Sequence, residues 1–220
     1  SPELRFEPRE LDPPDTLYAD VETAGAATLV LQTAMLPIVA ARRPVEVVIT
    51  GGTHVHWAPT ADYFRSVFAW HMERMGVSVQ VLDCRPGFYP RGGGRLRVEI
   101  SADETAPLRL NEPGELRRIT ARSLATPNLR DAAVAERQIK AARRIAEIDE
   151  VETRYRNANG TGTAVLLTAE YANARMGASA LGEKGKPAET VGVEAAGMLD
   201  RWMSTGACLD EFMVDQALPY

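Results

Sequence analysis

Apolar residues recur along this chain with two distinct periods, and the switches between them divide it into elements. Leu4 and Phe6 alternate with charged neighbours up to Pro8, which predicts a short strand over residues 1–8. Leu17–Val21 reads as a second strand. From Ala24 to Ala41 nearly every position is apolar, interrupted only by Thr28, Gln32, Thr33 and Pro37. A helix that is apolar almost all round predicts a buried element. Val45, Val47, Val48 and Ile49 predict a buried strand ending at the Gly51-Gly52 turn. Over Thr60–Met75, Phe64, Val67, Phe68, His71 and Met75 fall at helical spacing, and Gly76 ends the helix. Val77, Val79 and Val81 alternate with polar residues, as do Leu96, Val98 and Ile100 beyond a glycine-rich connection, the pattern of a strand pair. Residues 17–100 therefore predict the order β-α-β-α-β-β, an α/β unit with helices packed on a sheet.

Ser101–Gly114 is polar, carries two prolines and reads as a linker. A second set of elements follows it. Leu116–Ser123 is strand-like, and Asn128–Ile148 reads as a helix with Ala135, Ile139, Ala142 and Ala146 on one face. Val151–Asn157 predicts a strand, Asn159-Gly-Thr-Gly162 a turn, and Val165–Tyr171 a strong strand. Pro187 sits at a helix start, with Val191, Ala195, Met198, Leu199 and Trp202 as the core stripe, and Gly206 ends that helix. These elements predict a smaller α/β domain at about 107–207. Leu209–Tyr220 reads as the opening of a further helix.

Composition adds exclusions more than assignments. Apolar residues are 45% and charged ones 25%, an ordinary globular balance with no apolar run of the roughly 20 residues a bilayer span needs. No secretory pattern opens the chain, and Cys84 and Cys208, the only cysteines, form no zinc or redox motif, so no membrane association and a cytoplasmic setting are expected. A net charge of −5 argues against broad coating of nucleic acid while leaving room for one strand end in a local basic pocket.

Several stretches hold candidate chemistry. Gly87-Phe-Tyr-Pro-Arg-Gly-Gly-Gly94 can bring backbone close to a neighbour or to a phosphate, although a strand rather than a helix follows it, which favours a bulged hairpin turn. Gly51–Pro59 joins a strand to a helix, the place where open α/β sheets bind ligands. His54 and His56 lie two apart and could share a side, yet no third metal ligand is evident. His71 lies on the apolar stripe of its helix and reads as a satisfied core histidine. Gln32 is the one large polar side chain in the apolar first helix, and such an amide needs partners, whether backbone or ligand. Phe212, Asp215 and Gln216 are spaced to share a helical face, offering stacking and edge hydrogen bonds suited to a purine, or else an ordinary half-exposed surface.

Taken together, six segments resemble the RNA 3′-terminal phosphate cyclases over nearly all 220 residues. They are Thr23–Thr33, Gly51-Gly-Thr with Ala58-Pro59, Gly87–Gly94, Val134–Gln138, Gly182-Glu-Lys-Gly-Lys-Pro-Ala188 and Asp210–Gln216, in family order. The resemblance implies a large domain of repeated β-α-β-α-β-β units, here 1–106 and 208–220, with a smaller α/β domain, 107–207, inserted. It also implies that both ends of the large domain are truncated. The first repeat would be mostly absent and the third cut within its helix.

The activity so implied is ATP-dependent conversion of an RNA 3′-terminal phosphate to a 2′,3′-cyclic phosphodiester. A histidine would attack the α-phosphate of ATP, AMP would pass to the RNA 3′-phosphate, and the 2′-hydroxyl would then expel it. ATP and a divalent metal, Mg2+ or Mn2+, are the expected cofactors, and RNA 3′-phosphate ends the expected partner. Carried over residue by residue, Gln32 and the run Phe212, Met213, Val214, Asp215 and Gln216 match ATP-contacting positions, with Pro59 and Phe212 sandwiching the adenine. The nucleophilic histidine belongs to a motif beyond this sequence, and none of His54, His56 or His71 matches it. Two positions depart from the family pattern: Pro86, where Arg or His is usual, and Phe212, where Tyr or His is common. The chain alone is expected to be inactive. The competing readings are a cyclase-like binding protein in ribosome or RNA maturation, and a transferase acting on a small phosphorylated metabolite.

Overall fold

The structure is a computed structural model that describes Arg5, Glu7 and residues 11–220; the strand expected over 1–8 lies largely outside the described residues. The first sheet contains β1 (Thr16–Asp20), β2 (Val45–Gly51), β3 (Val77–Arg85) and β4 (Gly94–Ala102) in the order β1-β2-β4-β3. β1 and β2 are parallel, joined by helix α1 (Ala27–Ala41), and β4 is antiparallel to both its neighbours. Val45, Val47, Ile49, Leu96, Val98 and Ile100 turn to the helices and are buried, while Glu46 and Arg97 pair on the opposite face at 2.7 Å. That alternation is what the period-2 pattern requires.

Between β2 and β3 the chain forms one helical rod in three pieces: α2 (Ala61–Tyr63), a π-helical stretch (Phe64–Phe68) and α3 (Ala69–Arg74). Thr60 caps it, its hydroxyl accepting from the Tyr63 amide at 3.2 Å. Gly76, at φ +83, ends it. The rod is buried on more than one side because it lies between two sheets.

The second sheet runs β6-β5-β7-β8, with β5 (Leu116–Ala125), β6 (Glu150–Tyr155), β7 (Thr163–Tyr171) and β8 (Arg175–Leu181). β5 and β6 are parallel and the other pairs antiparallel. Helices α4 (Val134–Ala142) and α5 (Ala188–Ser204) cover one face and share a core with Val165, Leu167 and Ala169. The other face meets the rod, and Leu166 belongs to the first core. β7 is accordingly buried at every position from Thr163 to Ala169, a continuous apolar run rather than an alternating one. Residues 103–115 between the sheets hold no helix or strand.

Three expectations need correction. The first helix is not buried all round: Leu29 and Leu36 are 43% and 40% exposed, because among the described residues only its Ala27, Leu31, Met35 and Ile38 side meets the sheet. The helix read over Asn128–Ile148 is shorter; a 3-10 turn (Pro127–Leu129) precedes it, and Ala133 at φ +47 breaks the run before α4 begins. β8 has no counterpart in the pattern reading. Its Gly177, Ala178, Ser179 and Ala180 carry little strand propensity, and packing selects them. A Cβ on Gly177 would lie 2.6 Å from Val67 Cγ2 on the rod.

Candidate functional site

The Gly51–Thr60 connection is fixed by backbone bonds on both sides. The Gly52 amide donates to Gly25 O at 2.8 Å and Gly52 O accepts from the Ala27 amide at 2.8 Å, tying this turn to the start of α1. A side chain on Gly52 would meet the Ala24 carbonyl and Val55, which explains the glycine. The amides of Thr53 and His54 both donate to Gly87 O, at 3.0 and 3.1 Å, and the Thr53 hydroxyl accepts from the Gly87 amide at 2.9 Å. The glycine-rich segment therefore clamps this loop. Phe88, 4% exposed, packs from that segment onto Leu124 and Ala164 of the second sheet.

The two histidines separate. His54 is buried, with Nδ1 2.9 Å from the Thr53 hydroxyl and Nε2 3.1 Å from Asp62 Oδ2. Burial pushes the Asp62 carboxyl up, but its hydrogen bond and charge pairing with His54, with help from Arg154 and Arg65, prevail and hold it at about 2. His56 is more open, with Nε2 3.3 Å from Glu183 Oε1. Each ring thus has its own carboxylate. His71 is fully buried, and its Nε2 donates to Arg175 O at 2.8 Å; burial lowers its pKa to about 4, so it is neutral.

Pro59 and Phe212, far apart in sequence, reach the same cavity. It has a volume of about 270 Å³, and its walls include the 55–60 loop, Tyr63, the end of β8 and Met198 of α5. Pro59 is positioned from α1, where the Thr28 hydroxyl donates to Pro59 O at 2.8 Å. Phe212 is positioned by aromatic neighbours, Tyr63 at 5.8 Å and Trp202 at 6.2 Å, both edge-on. Phe212 is carried by helix α6 (Glu211–Ala217), whose cap, Asp210, is buried.

Asp210 is a residue the sequence reading did not single out, and it ties three elements together. Its carboxylate accepts from the Met213 amide at 2.9 Å, the Tyr63 hydroxyl at 2.6 Å and the Gly177 amide at 2.9 Å. Burial raises its pKa even though all three bonds act to lower it. An aspartate directly before a short apolar helix is a recognisable cap signal, but its long-range partners leave no trace in sequence spacing.

The remaining predicted positions spread around α6 and α1. Met213 is packed into the first core, Val214 and Asp215 face solvent, and Gln216 is buried with Oε1 unpaired. Phe212 and Gln216 therefore share a flank of α6 while Asp215 lies outward of it. Gln32 stands one turn beyond Thr28 on α1, and its Nε2 is buried without a partner. Neither Gln32, Asp215 nor Gln216 lines the cavity shared by Pro59 and Phe212.

A second cavity of about 860 Å³ adjoins the first and shares Val55, His56, Leu181, Glu183 and Lys186 with it. Both the glycine-rich segment and the Gly182–Ala188 stretch line it. Trp57, between the cavities' shared His56 and Pro59, is 97% exposed and sits at φ +58, a backbone region that non-glycine residues rarely occupy.

Such a fold and site define an α/β protein of two mixed sheets with a loop-built cavity between them. The chain matches the family model for RNA 3′-terminal phosphate cyclase over residues 1–220, and it belongs to that family. Among curated relatives carrying that name, one from Methanopyrus kandleri is 40% identical over 100% of this chain and 65% of its own length. One from Thermococcus kodakarensis is 41% identical over 100% of this chain and 64% of its own, and one from Halobacterium salinarum 37% over 99% and 65%. The chain spans about 65% of the length of these relatives.

Proposed function

We propose that this chain forms the nucleotide-binding part of an enzyme that converts RNA 3′-terminal phosphates to 2′,3′-cyclic phosphodiesters at the expense of ATP. The observation that carries this reading is the meeting of Pro59 and Phe212 on one cavity. A proline ring and an aromatic ring on the walls of one cavity are surfaces on which a flat heterocycle can stack. Outside the walls of that cavity, on α1 and α6, two buried amide atoms lack partners: a donor, Gln32 Nε2, and an acceptor, Gln216 Oε1. Adenine offers ring-nitrogen acceptors and an amino donor, so it can satisfy groups of both kinds.

In this reading the adenosine is held by Gln32, Pro59 and the Phe212–Gln216 helix. Residues 1–106 and 208–220 belong to the catalytic domain and 107–207 to the inserted one; the separate cores of the two sheets support that division. A histidine nitrogen outside this chain attacks the α-phosphorus, and pyrophosphate leaves. AMP then passes to a 3′-phosphate oxygen of RNA, which turns a poor leaving group into a good one. The vicinal 2′-oxygen attacks the 3′-phosphorus, the ring closes and AMP departs. Among the described residues no three His, Cys, Asp or Glu side chains converge on one point; the Mg2+ or Mn2+ expected with ATP would supply screening of the phosphate charge.

The test uses the full-length protein with α-labelled ATP. The reading expects an acid-labile, hydroxylamine-sensitive AMP adduct, and transfer of that AMP when RNA with a 3′-phosphate is added, with a cyclic end as product. A well-folded protein that gives no adduct and leaves the 3′-phosphate unchanged is instead the cyclase-like binding protein.

A further inference from the structure

Two motifs line the large cavity, Gly87–Gly94 and Gly182–Ala188, and the second also reaches the Pro59–Phe212 cavity through Glu183 and Lys186. That cavity joins the Pro59–Phe212 cavity at one end. At the other it meets a third cavity of about 610 Å³ through Pro90 and Thr161. The three form one continuous groove between the sheets. Its chemistry changes along its length. The nucleotide end is flanked by Trp57, the middle by Tyr89, 73% exposed, and the far end by Arg91 with Asn128, Asn157 and Asn159.

The charge of the walls runs against that of the molecule. Four cations, Arg91, Arg137, Lys184 and Lys186, face two carboxylates, Glu183 and Glu194. Adding Glu189, which pairs with Arg137 at 2.8 Å, still leaves one cation in excess, in a chain of net charge −5. Arg91 makes no ion pair among the described residues; its guanidinium donates to Asn159 O at 3.1 Å. Trp57 is held on a backbone region that costs on the order of 1–3 kcal/mol and gains no burial in return, a combination expected where an exposed side chain has a partner to meet. Exposed aromatic rings alternating with unpaired cations and side-chain amides are how proteins hold single strands: bases stack on the rings, phosphates lie on the cations, and amides reach base edges.

We propose that this groove is the track for the single-stranded RNA that leads to the reacting 3′ end, with Trp57 and Tyr89 as base-stacking platforms and Arg91 and Lys184 on the phosphates. The assignment rests on the cyclase reading for its direction, because the strand's end must lie at the nucleotide cavity.

The test separates the two. Full-length protein is titrated without ATP into a short fluorescein-labelled single-stranded RNA ending in a 3′-hydroxyl, so that binding depends on no chemistry. Trp57→Ala and Tyr89→Ala are each expected to weaken binding by about 5- to 150-fold, the worth of one stacked base, and Tyr89→Phe to restore it. Arg91→Ala should lower the slope of log K against log salt by about 0.7. RNA should also quench the part of the tryptophan emission that Trp57→Phe removes. Binding unchanged in all three alanine variants, or no binding by the wild type, overturns the track. So does quenching of Trp57 by ATP and not by RNA. Weakened binding with no cyclisation keeps the track and removes the cyclase reading, whereas cyclisation with unaltered binding does the reverse.

Discussion

Replacing Asp210 by alanine removes one acceptor from three donors at once: the Met213 amide, the Tyr63 hydroxyl and the Gly177 amide. Loss of the helix cap is worth about 1 kcal/mol. The Tyr63 hydroxyl and Gly177 amide are then left buried without a partner, at about 1–3 kcal/mol each. Part of this is offset, because burial raises the Asp210 pKa and the charged carboxylate is itself costly to desolvate. The net expectation is a loss of about 3–5 kcal/mol, a large share of the roughly 5–15 kcal/mol that holds a domain together. Urea unfolding followed by circular dichroism reads it as a lower midpoint. Tyr63→Phe alone should cost about 1 kcal/mol, and in the double variant the two losses should fail to add by about 1–2 kcal/mol, since they share one bond. An Asp210→Ala loss below about 1 kcal/mol, or strict additivity with Tyr63→Phe, would refute the view that this carboxylate ties α6 to the rod and to β8.

Other expectations follow from burial and charge. His71 has its folded pKa depressed to about 4 from an ordinary 6.5, so the unfolded chain binds its proton first as pH falls. Stability is therefore full above 6.5 and drops by about 3 kcal/mol as pH falls to 4, a slope that His71→Leu should flatten in denaturant melts across that range. The Asp62 carboxyl, held at about 2, adds a loss of about 2 kcal/mol only below its ordinary 3.8, which Asp62→Asn should abolish in the same melts. Gly177→Ala should cost about 1–3 kcal/mol by overpacking, since its Cβ would lie 2.6 Å from Val67 Cγ2, 3.2 Å from Tyr63 Cδ2 and 3.3 Å from Leu166 Cδ1; Val67→Ala should recover much of that loss.

Periodic segments made the fold legible. Val45–Gly51, Val77–Arg85 and Gly94–Ala102 are strands because alternate residues meet the helices, and that alternation is written in the sequence. Thr60 and Gly76 announced the ends of the rod, although nothing in its spacing revealed the π-helical middle. β8 was illegible because its small residues are chosen by what lies across the sheet, Val67 and Tyr63, rather than by strand propensity. The shortness of α4 was hidden too, since Ala133 in a left-handed conformation looks like any helix former.

The site was legible mainly through motif resemblance. Residue types alone offered Phe212, Asp215 and Gln216 as one face, yet α6 turns Asp215 outward because Asp210 and Met213 fix which side faces in. Asp210 itself was passed over, its role depending on partners 33 and 147 residues away. Trp57 was passed over as well, because exposure and backbone strain are not visible in a residue name.

The most direct test of the nucleotide site is a structure of the full-length protein with bound AMP. The adenine ring should lie between Pro59 and Phe212 at van der Waals distance, about 3.5–4.0 Å, with the Gln32 or Gln216 amide hydrogen-bonded to the nucleotide. AMP bound elsewhere, with that cavity still filled by solvent, would contradict the account.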